Sequence, residues 1–373
     1  LPTSVHPTDL ITQLGLPPFR PRPPWWNGDL QTLRDSLRPV RLPPDQGEVV
    51  EVAVGAGDQL VARLDPCHQG SPHGLVLLMH GLGGSSEREG LRRMGLTLQH
   101  GGFAVLRLNM RGAGPGRALA RGTYAARCNS DLLPAIRRAR QLADQLAPGG
   151  RPLLGVGLSL GGTKLLNALL AGSGERLAAG FTATAALLDG LVCISSPLDL
   201  QACSRQIERP RNRFYQHWLL RRLVAQTLAD PFGISDAERS ALAGRGPLGP
   251  LRSIRAFDAA ITAPRWGYDS VEAYYAAASP LAGLQRPDAT SLPPTLLLHA
   301  ADDPWVPVAQ TLELQRQASQ ASGPRLQVLI TDQGGHNGFH AAGDGGDGLP
   351  GCWGDRLTVR WLHRLVAGAV VSP

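Results

Sequence analysis

The 373-residue chain nearly lacks lysine: Lys164 is the only one among its 37 basic side chains, the rest being arginine. The formal charge of +7 therefore reads as base-composition bias toward arginine rather than as a binding surface. No uninterrupted basic tract and no aromatic-interleaved strand motif occurs, so nucleic acid is not an expected partner. Long apolar runs are missing too. The nearest, Ala178 to Pro197, is broken by Asp189, Ser195 and Ser196, so no uninterrupted run reaches the roughly 18 to 20 residues that span a bilayer and no transmembrane segment is expected. The five cysteines, Cys67, Cys128, Cys193, Cys203 and Cys352, are odd in number and show no C-x-x-C spacing, which argues against a disulfide framework and a zinc ribbon. The opening LPTSVHPTDL has neither a basic start nor an apolar stretch, so no signal peptide is expected and a cytoplasmic, reducing setting fits best.

What is present is a globular pattern with alternating elements. Residues 1–45 are rich in Pro and Arg around Pro17 to Trp26 and read as an extended arm that wraps the surface. Short β-type runs follow at Val49 to Val54, Leu60 to Leu64, Leu75 to Met79 and Phe103 to Leu108. From Asp131, apolar residues recur at three- and four-residue steps through Leu146, which predicts a helix ended by Pro148-Gly149-Gly150. A strand Leu153 to Val156, a helix Leu160 to Leu170 and a strand Leu187 to Ile194 continue the alternation, and strands return at Thr295 to His299 and Leu326 to Thr331. A last helix runs from about Trp353 to Ala369. Strands alternating with helices imply a mostly parallel sheet covered on both faces. Helical, arginine- and aromatic-rich text at 199–285 interrupts that rhythm and reads as a cap inserted between a first core part, 46–198, and a second, 286–373.

The segment Gly155-Val156-Gly157-Leu158-Ser159-Leu160-Gly161-Gly162 is a G-x-S-x-G sequence between an apolar strand and an apolar helix. That context suits a nucleophile on a strained strand-to-helix turn, with small neighbours demanded by sterics and the Leu160 amide at a helix start facing a developing oxyanion. A second donor is expected upstream, and His80-Gly81-Leu82-Gly83-Gly84, directly after a strand, offers the amide of Leu82. The general base is expected in the Gly-rich loop Gly334-Gly335-His336-Asn337-Gly338 after the last strand, with His340 as competitor. For the orienting carboxylate, Asp302 and Asp303 both follow the strand before it; Asp303, just ahead of Pro304-Trp305-Val306-Pro307, is preferred. The order Ser159, Asp303, His336 is that of α/β-hydrolases.

The chain also resembles AB hydrolase family 4, the group of YheT-like bacterial hydrolases, plant embryogenesis-associated proteins and animal ABHD1/2/3-type proteins. The resemblance runs from about Pro24 to Leu365. It rests on Trp25-Trp26-Asn27-Gly28-Asp29-Leu30-Gln31-Thr32-Leu33, the His80 loop, Asn109-Met110-Arg111-Gly112, Gly157 to Gly162, Phe257 to Ala263, Tyr274-Tyr275 and the His336 loop. After Tyr124 the residues Ala125-Ala126-Arg127-Cys128 depart from the family's His and Gly. The resemblance implies an α/β-hydrolase fold with a helical cap and serine-ester hydrolysis needing no metal and no organic cofactor. It implies a small-molecule substrate, a carboxylic ester of small to medium acyl chain or a lipid-like one. Thioester or phospholipid cleavage by the same triad, or a hydrolase-fold binding protein without turnover, are the alternatives, and no H-x4-D acyltransferase signature occurs.

Six arginines between Arg205 and Arg222, interleaved with Phe214, Trp218, Leu219 and Leu220, stand against one acid, Glu208. A solvated cap face is the simpler reading; a lip that transiently touches anionic lipid is the other. The pair Trp25-Trp26 carries the same two readings, core packing or membrane contact.

Overall fold

The computed structural model describes residues 7–68, 70–243, 251–286, 292–320, 325–344 and 351–370. Eight strands form one sheet: β1 (Glu48–Ala53), β2 (Gln59–Asp65), β3 (Leu75–Met79), β4 (Ala104–Asn109), β5 (Leu153–Leu158), β6 (Gly190–Ile194), β7 (Thr295–Ala300) and β8 (Leu326–Thr331). Their order is β1-β2-β4-β3-β5-β6-β7-β8, with antiparallel pairing at β1-β2 and β2-β4 and parallel pairing elsewhere. The fold expected from the alternation is therefore the fold observed.

Central strands are buried on both faces, which is why they read as unbroken apolar runs. Alternation still decides which layer each side chain joins: Leu75, Leu77 and Met79 of β3 enter one core, Val76 and Leu78 the other. The arm is more ordered than its composition implies. It holds α1 (Pro7–Gln13) and α2 (Gly28–Leu37). Leu10, Ile11 and Leu14 bury themselves in the second core, and Asn27 caps α2 by accepting the Leu30 amide at 2.9 Å. Burial of apolar residues within a Pro-rich segment supplies the ordering that local propensity does not.

The helices α3 (Glu89–His100), α4 (Asn129–Gln145), α5 (Leu160–Leu169) and α6 (Ser173–Ala178) alternate with the strands of the first core part. Buried Arg93 of α3 binds Asp355 at 2.6 Å and also pairs with Asp35 of α2, which locks the arm onto the core. The segment expected as a cap is helical and follows β6 as α7 (Leu200–Ile207), α8 (Arg213–Leu228), α9 (Asp236–Leu242), α10 (Ile254–Phe257), α11 (Ala263–Arg265), α12 (Val271–Ala278) and α13 (Leu281–Leu284). A π-helical turn, Asp258–Thr262, links α10 to α11. Finally α14 (Ala309–Gln320) precedes β8 and α15 (Trp353–Val370) packs on the second core. Among the described residues no helix is long and apolar enough to cross a membrane.

Candidate active site

Ser159 occupies the turn between β5 and α5 with φ 52° and ψ −126°, a conformation costly for a residue with a side chain. The neighbouring glycines make that turn possible. A Cβ on Gly157 would lie 2.2 Å from the Gly162 nitrogen, and one on Gly161 would lie 2.4 Å from the Met79 carbonyl oxygen. The backbone is held by the Ser159 amide donating to the Ile194 carbonyl at 2.8 Å.

Three of the predicted side chains meet at the C-terminal ends of the strands. Ser159 Oγ lies 2.8 Å from His336 Nε2, and His336 Nδ1 lies 2.9 Å from Asp303 Oδ2. All three residues are buried. The other Asp303 oxygen accepts the amides of Trp305 at 2.8 Å and Val306 at 3.0 Å. Against the cost of burial, the His336 and His299 rings hold the Asp303 carboxyl well below the usual carboxylate range, so it stays charged. With Nδ1 serving a carboxylate, the neutral imidazole carries its proton there and turns a bare Nε2 to the serine hydroxyl.

Asp302 points elsewhere: its Oδ1 accepts the Gly335 amide at 2.8 Å and braces the histidine loop. Burial raises its carboxyl above the ordinary value. His340 is also remote from the serine, with its ring 3.1 Å from Asp35 and its backbone bound to Gln31.

The loop carrying Leu82 runs directly against the serine, since a Cβ on Gly81 would stand 3.0 Å from Ser159 Cβ. Leu160 is the first residue of α5, where an amide has no partner within the helix. Around Leu82, the Gly83 amide donates to Tyr124 Oη at 2.7 Å and the Gly84 amide to the Gly81 carbonyl at 3.2 Å. His80 serves the same loop. Its Nε2 accepts the Met110 amide at 3.2 Å, so its Nδ1 proton goes to the Gly81 carbonyl at 2.8 Å. Burial first, then nearby Lys164, lowers its pKa to about 3 and keeps it neutral. Lys164 itself is fully buried, with Nζ 3.8 Å over the Tyr124 ring centre and without a hydrogen-bond partner. Burial lowers its pKa to about 8.

Several participants have no role assigned by the sequence, although Trp25, Gln31, Thr32, Asp258 and Tyr275 lie in stretches that carry the family resemblance. Thr32 Oγ1 of α2 accepts the His336 amide at 2.9 Å while donating to the Gly28 carbonyl at 2.6 Å. A Cβ on Gly335 would lie 2.3 Å from that same carbonyl oxygen, so helix and loop touch backbone to backbone. Trp25 is buried and Gln31 donates to its carbonyl at 2.7 Å, whereas Trp26 is exposed. Trp305 stacks on the His336 ring with centroids 4.4 Å apart. Beside the serine, an apolar cavity is lined by Leu82, Leu200, Ile207, Leu219, Leu223 and Phe257. Asp258 closes another part of it; burial raises its pKa to about 6, and Tyr275 Oη donates to it at 2.8 Å. No group of three His, Cys, Asp or Glu side chains among the described residues is arranged to hold a metal ion.

The alpha/beta hydrolase fold family model matches residues 74–342. YheT of Escherichia coli, named as an esterase, is 32% identical over 225 residues, which cover 57% of this chain and 56% of that protein. The human phospholipase ABHD3 is 28% identical over 364 residues, covering 91% of this chain and 77% of the relative. The match with YheT thus takes in little more than half of that protein's length. In fold, the chain is similar to a soluble variant of monoglyceride lipase from Saccharomyces cerevisiae, with a TM-score of 0.53 at 16% identity over 88% of this chain and 98% of the other. The chain belongs to the alpha/beta hydrolase family, within the AB hydrolase family 4 branch that holds YheT and ABHD3.

Proposed function

We propose that this protein is a serine hydrolase that cleaves carboxylic esters of small to medium acyl chain through a covalent acyl-enzyme. The single observation supporting this reading is the pair of hydrogen bonds linking Ser159, His336 and Asp303 at 2.8 and 2.9 Å. In this reading His336 Nε2 takes the Ser159 proton as Oγ attacks the ester carbonyl. The amides of Leu82 and Leu160 receive the oxyanion, and charged Asp303 stabilises the imidazolium. Collapse breaks the ester C–O bond while His336 hands its proton to the leaving alcohol. Water, deprotonated by the same imidazole, then attacks the acyl-enzyme, releases the carboxylic acid and restores Ser159. The apolar cavity next to the serine would take the acyl chain.

Esterase in the name of YheT and phospholipase in that of ABHD3 agree with ester chemistry. The second name, with the apolar cavity, favours lipid-like esters as the next reading, and thioesters would meet the same triad. The test is turnover of nitrophenyl esters of increasing acyl length beside the matching thioesters, by the wild type and by Ser159→Ala. We expect ester turnover in the wild type, with a loss of roughly 10^3-fold or more in the variant while its circular dichroism is unchanged. Turnover surviving in Ser159→Ala, or a wild type inert toward every ester, would overturn the reading; the inert result would point to a binding protein on a hydrolase fold.

A further inference from the structure

The cap has one face whose composition the proposed chemistry does not use. From Arg205 to Gly233, along α7, α8 and the following loop, the exposed residues include Arg205, Arg209, Arg211, Arg213 and Arg221, and no exposed carboxylate. The two acids of the stretch are withdrawn: Glu208 is half-buried, and Asp230 is buried against Arg117. Arg211 pairs with Asp29, but Arg205, Arg209, Arg213 and Arg221 form no ion pair among the described residues.

The same face is apolar between its charges. Phe214 is 67% exposed, Trp218 40%, Leu228 57% and Phe232 44%, and these are four of the nine large hydrophobics exposed in the described chain. Phe214, Trp218, Arg221, Ala225 and Leu228 follow one another at three- and four-residue steps, which aligns them on one side of α8. Arg222 lies 4.7 Å over the Trp218 ring, and Arg121 lies 5.5 Å over the Phe232 ring. Exposed apolar side chains set among unpaired arginines fit the boundary between charged headgroups and acyl chains, where each kind of group finds its own solvent. A soluble polyanion would satisfy the arginines and leave Phe214 and Leu228 in water.

The face also leads to the site. Trp218 and Arg222 line a cleft that reaches Leu82 and His336. The Trp218 ring is 6.5 Å from that of Trp305, which stacks on His336.

We propose that the α8 face of the cap docks on anionic lipid surfaces, its arginines meeting headgroup phosphates while Phe214, Trp218, Leu228 and Phe232 enter the acyl boundary. Docking goes beyond the ester reading and does not depend on it: Ser159→Ala should bind vesicles as the wild type does.

The experiment is co-sedimentation of the full chain with vesicles of phosphatidylcholine alone and of phosphatidylcholine with phosphatidylglycerol, at low and high salt. We expect binding to the anionic vesicles that weakens with salt. The double variant Arg213→Gln, Arg221→Gln should bind roughly thirtyfold more weakly, as two charges near an anionic surface imply. Phe214→Ser with Leu228→Ser should lose roughly tenfold or more at every salt concentration. Failure of the wild type to bind would overturn the proposal. So would unchanged binding by the Phe214, Leu228 variant, or displacement of the protein by duplex DNA as effective as by anionic vesicles, either of which would mark a merely basic surface.

Discussion

Asp302 and Asp303 are adjacent in sequence and opposite in use. Asp303 faces the imidazole at 2.9 Å and takes two backbone amides on its other oxygen, while Asp302 braces Gly335. The turn that begins at Pro304 brings the amides of Trp305 and Val306 to Asp303, which is the physical content of the preference for the residue before Pro304. Asp303→Asn keeps the volume and removes the charge that orients and stabilises the proposed imidazolium. We expect kcat to fall by roughly 10^3- to 10^4-fold with the melting temperature little changed; steady-state kinetics and thermal unfolding check both. Lys164 makes the opposite case, a charge kept at a cost. Burial lowers its pKa to about 8 from an ordinary lysine value of 10.5. Between those values the unfolded chain holds a proton that the folded chain does not, so this group's contribution to stability rises with pH there; below about 8 the full cost is present. Lys164→Met should therefore stabilise the fold at pH 7, by at most roughly 3 kcal/mol less what the Tyr124 ring returned. The gain should shrink as pH rises toward 10.5, as urea unfolding at pH 7 and pH 10 would reveal. That Lys164 is the sole lysine is plain in the sequence; that it is buried beneath Tyr124 depends on packing between segments forty residues apart.

At the scale of elements, the legible parts were the local ones. The strand-turn-helix around Ser159 is written within ten residues, because a Cβ on Gly157 would collide with Gly161 and Gly162 inside the turn itself; the demand at Gly161 is long-range, coming from the backbone of Met79 and His80. The loops bearing Asp303 and His336 are marked in the sequence by their places after the apolar runs of β7 and β8. Helix α3 is not among the elements expected from the sequence, although Leu91, Met94 and Leu98 carry its period and are buried. Helix α2 was hidden for another reason. Its surroundings are Pro-rich, and its role is long-range: Thr32 receives the amide of a residue 304 positions away. Nothing near Thr32 in the chain announces that partner, though the Asn27 cap marks the helix start. Thr32→Val retains shape and deletes the acceptor, leaving a buried amide unpaired. We expect kcat to drop by about tenfold or more, the cost of one lost hydrogen bond on a group that must hold its place, with KM little altered; a KM effect without a kcat effect would contradict this positioning role.

Across the whole molecule, α/β layering was visible because the alternation of strands and helices spans the chain, and the helical text between β6 and β7 stood out against it. What could not be read is how the cap closes over the serine, since the apolar cavity joins core residues Leu82 and Ser159 to cap residues Leu219 and Phe257. Such a wall exists only when both parts are folded together. The same dependence gives the most direct test of the central claim, that distant segments combine to make one hydroxyl nucleophilic. The measurement is labelling of the full chain by a fluorophosphonate, followed by peptide mass mapping, in native buffer and in urea. We expect one adduct per chain, on Ser159, formed only by the folded protein and absent in His336→Ala. Adduct on another residue, equal labelling of the unfolded chain, or undiminished labelling of His336→Ala would contradict it.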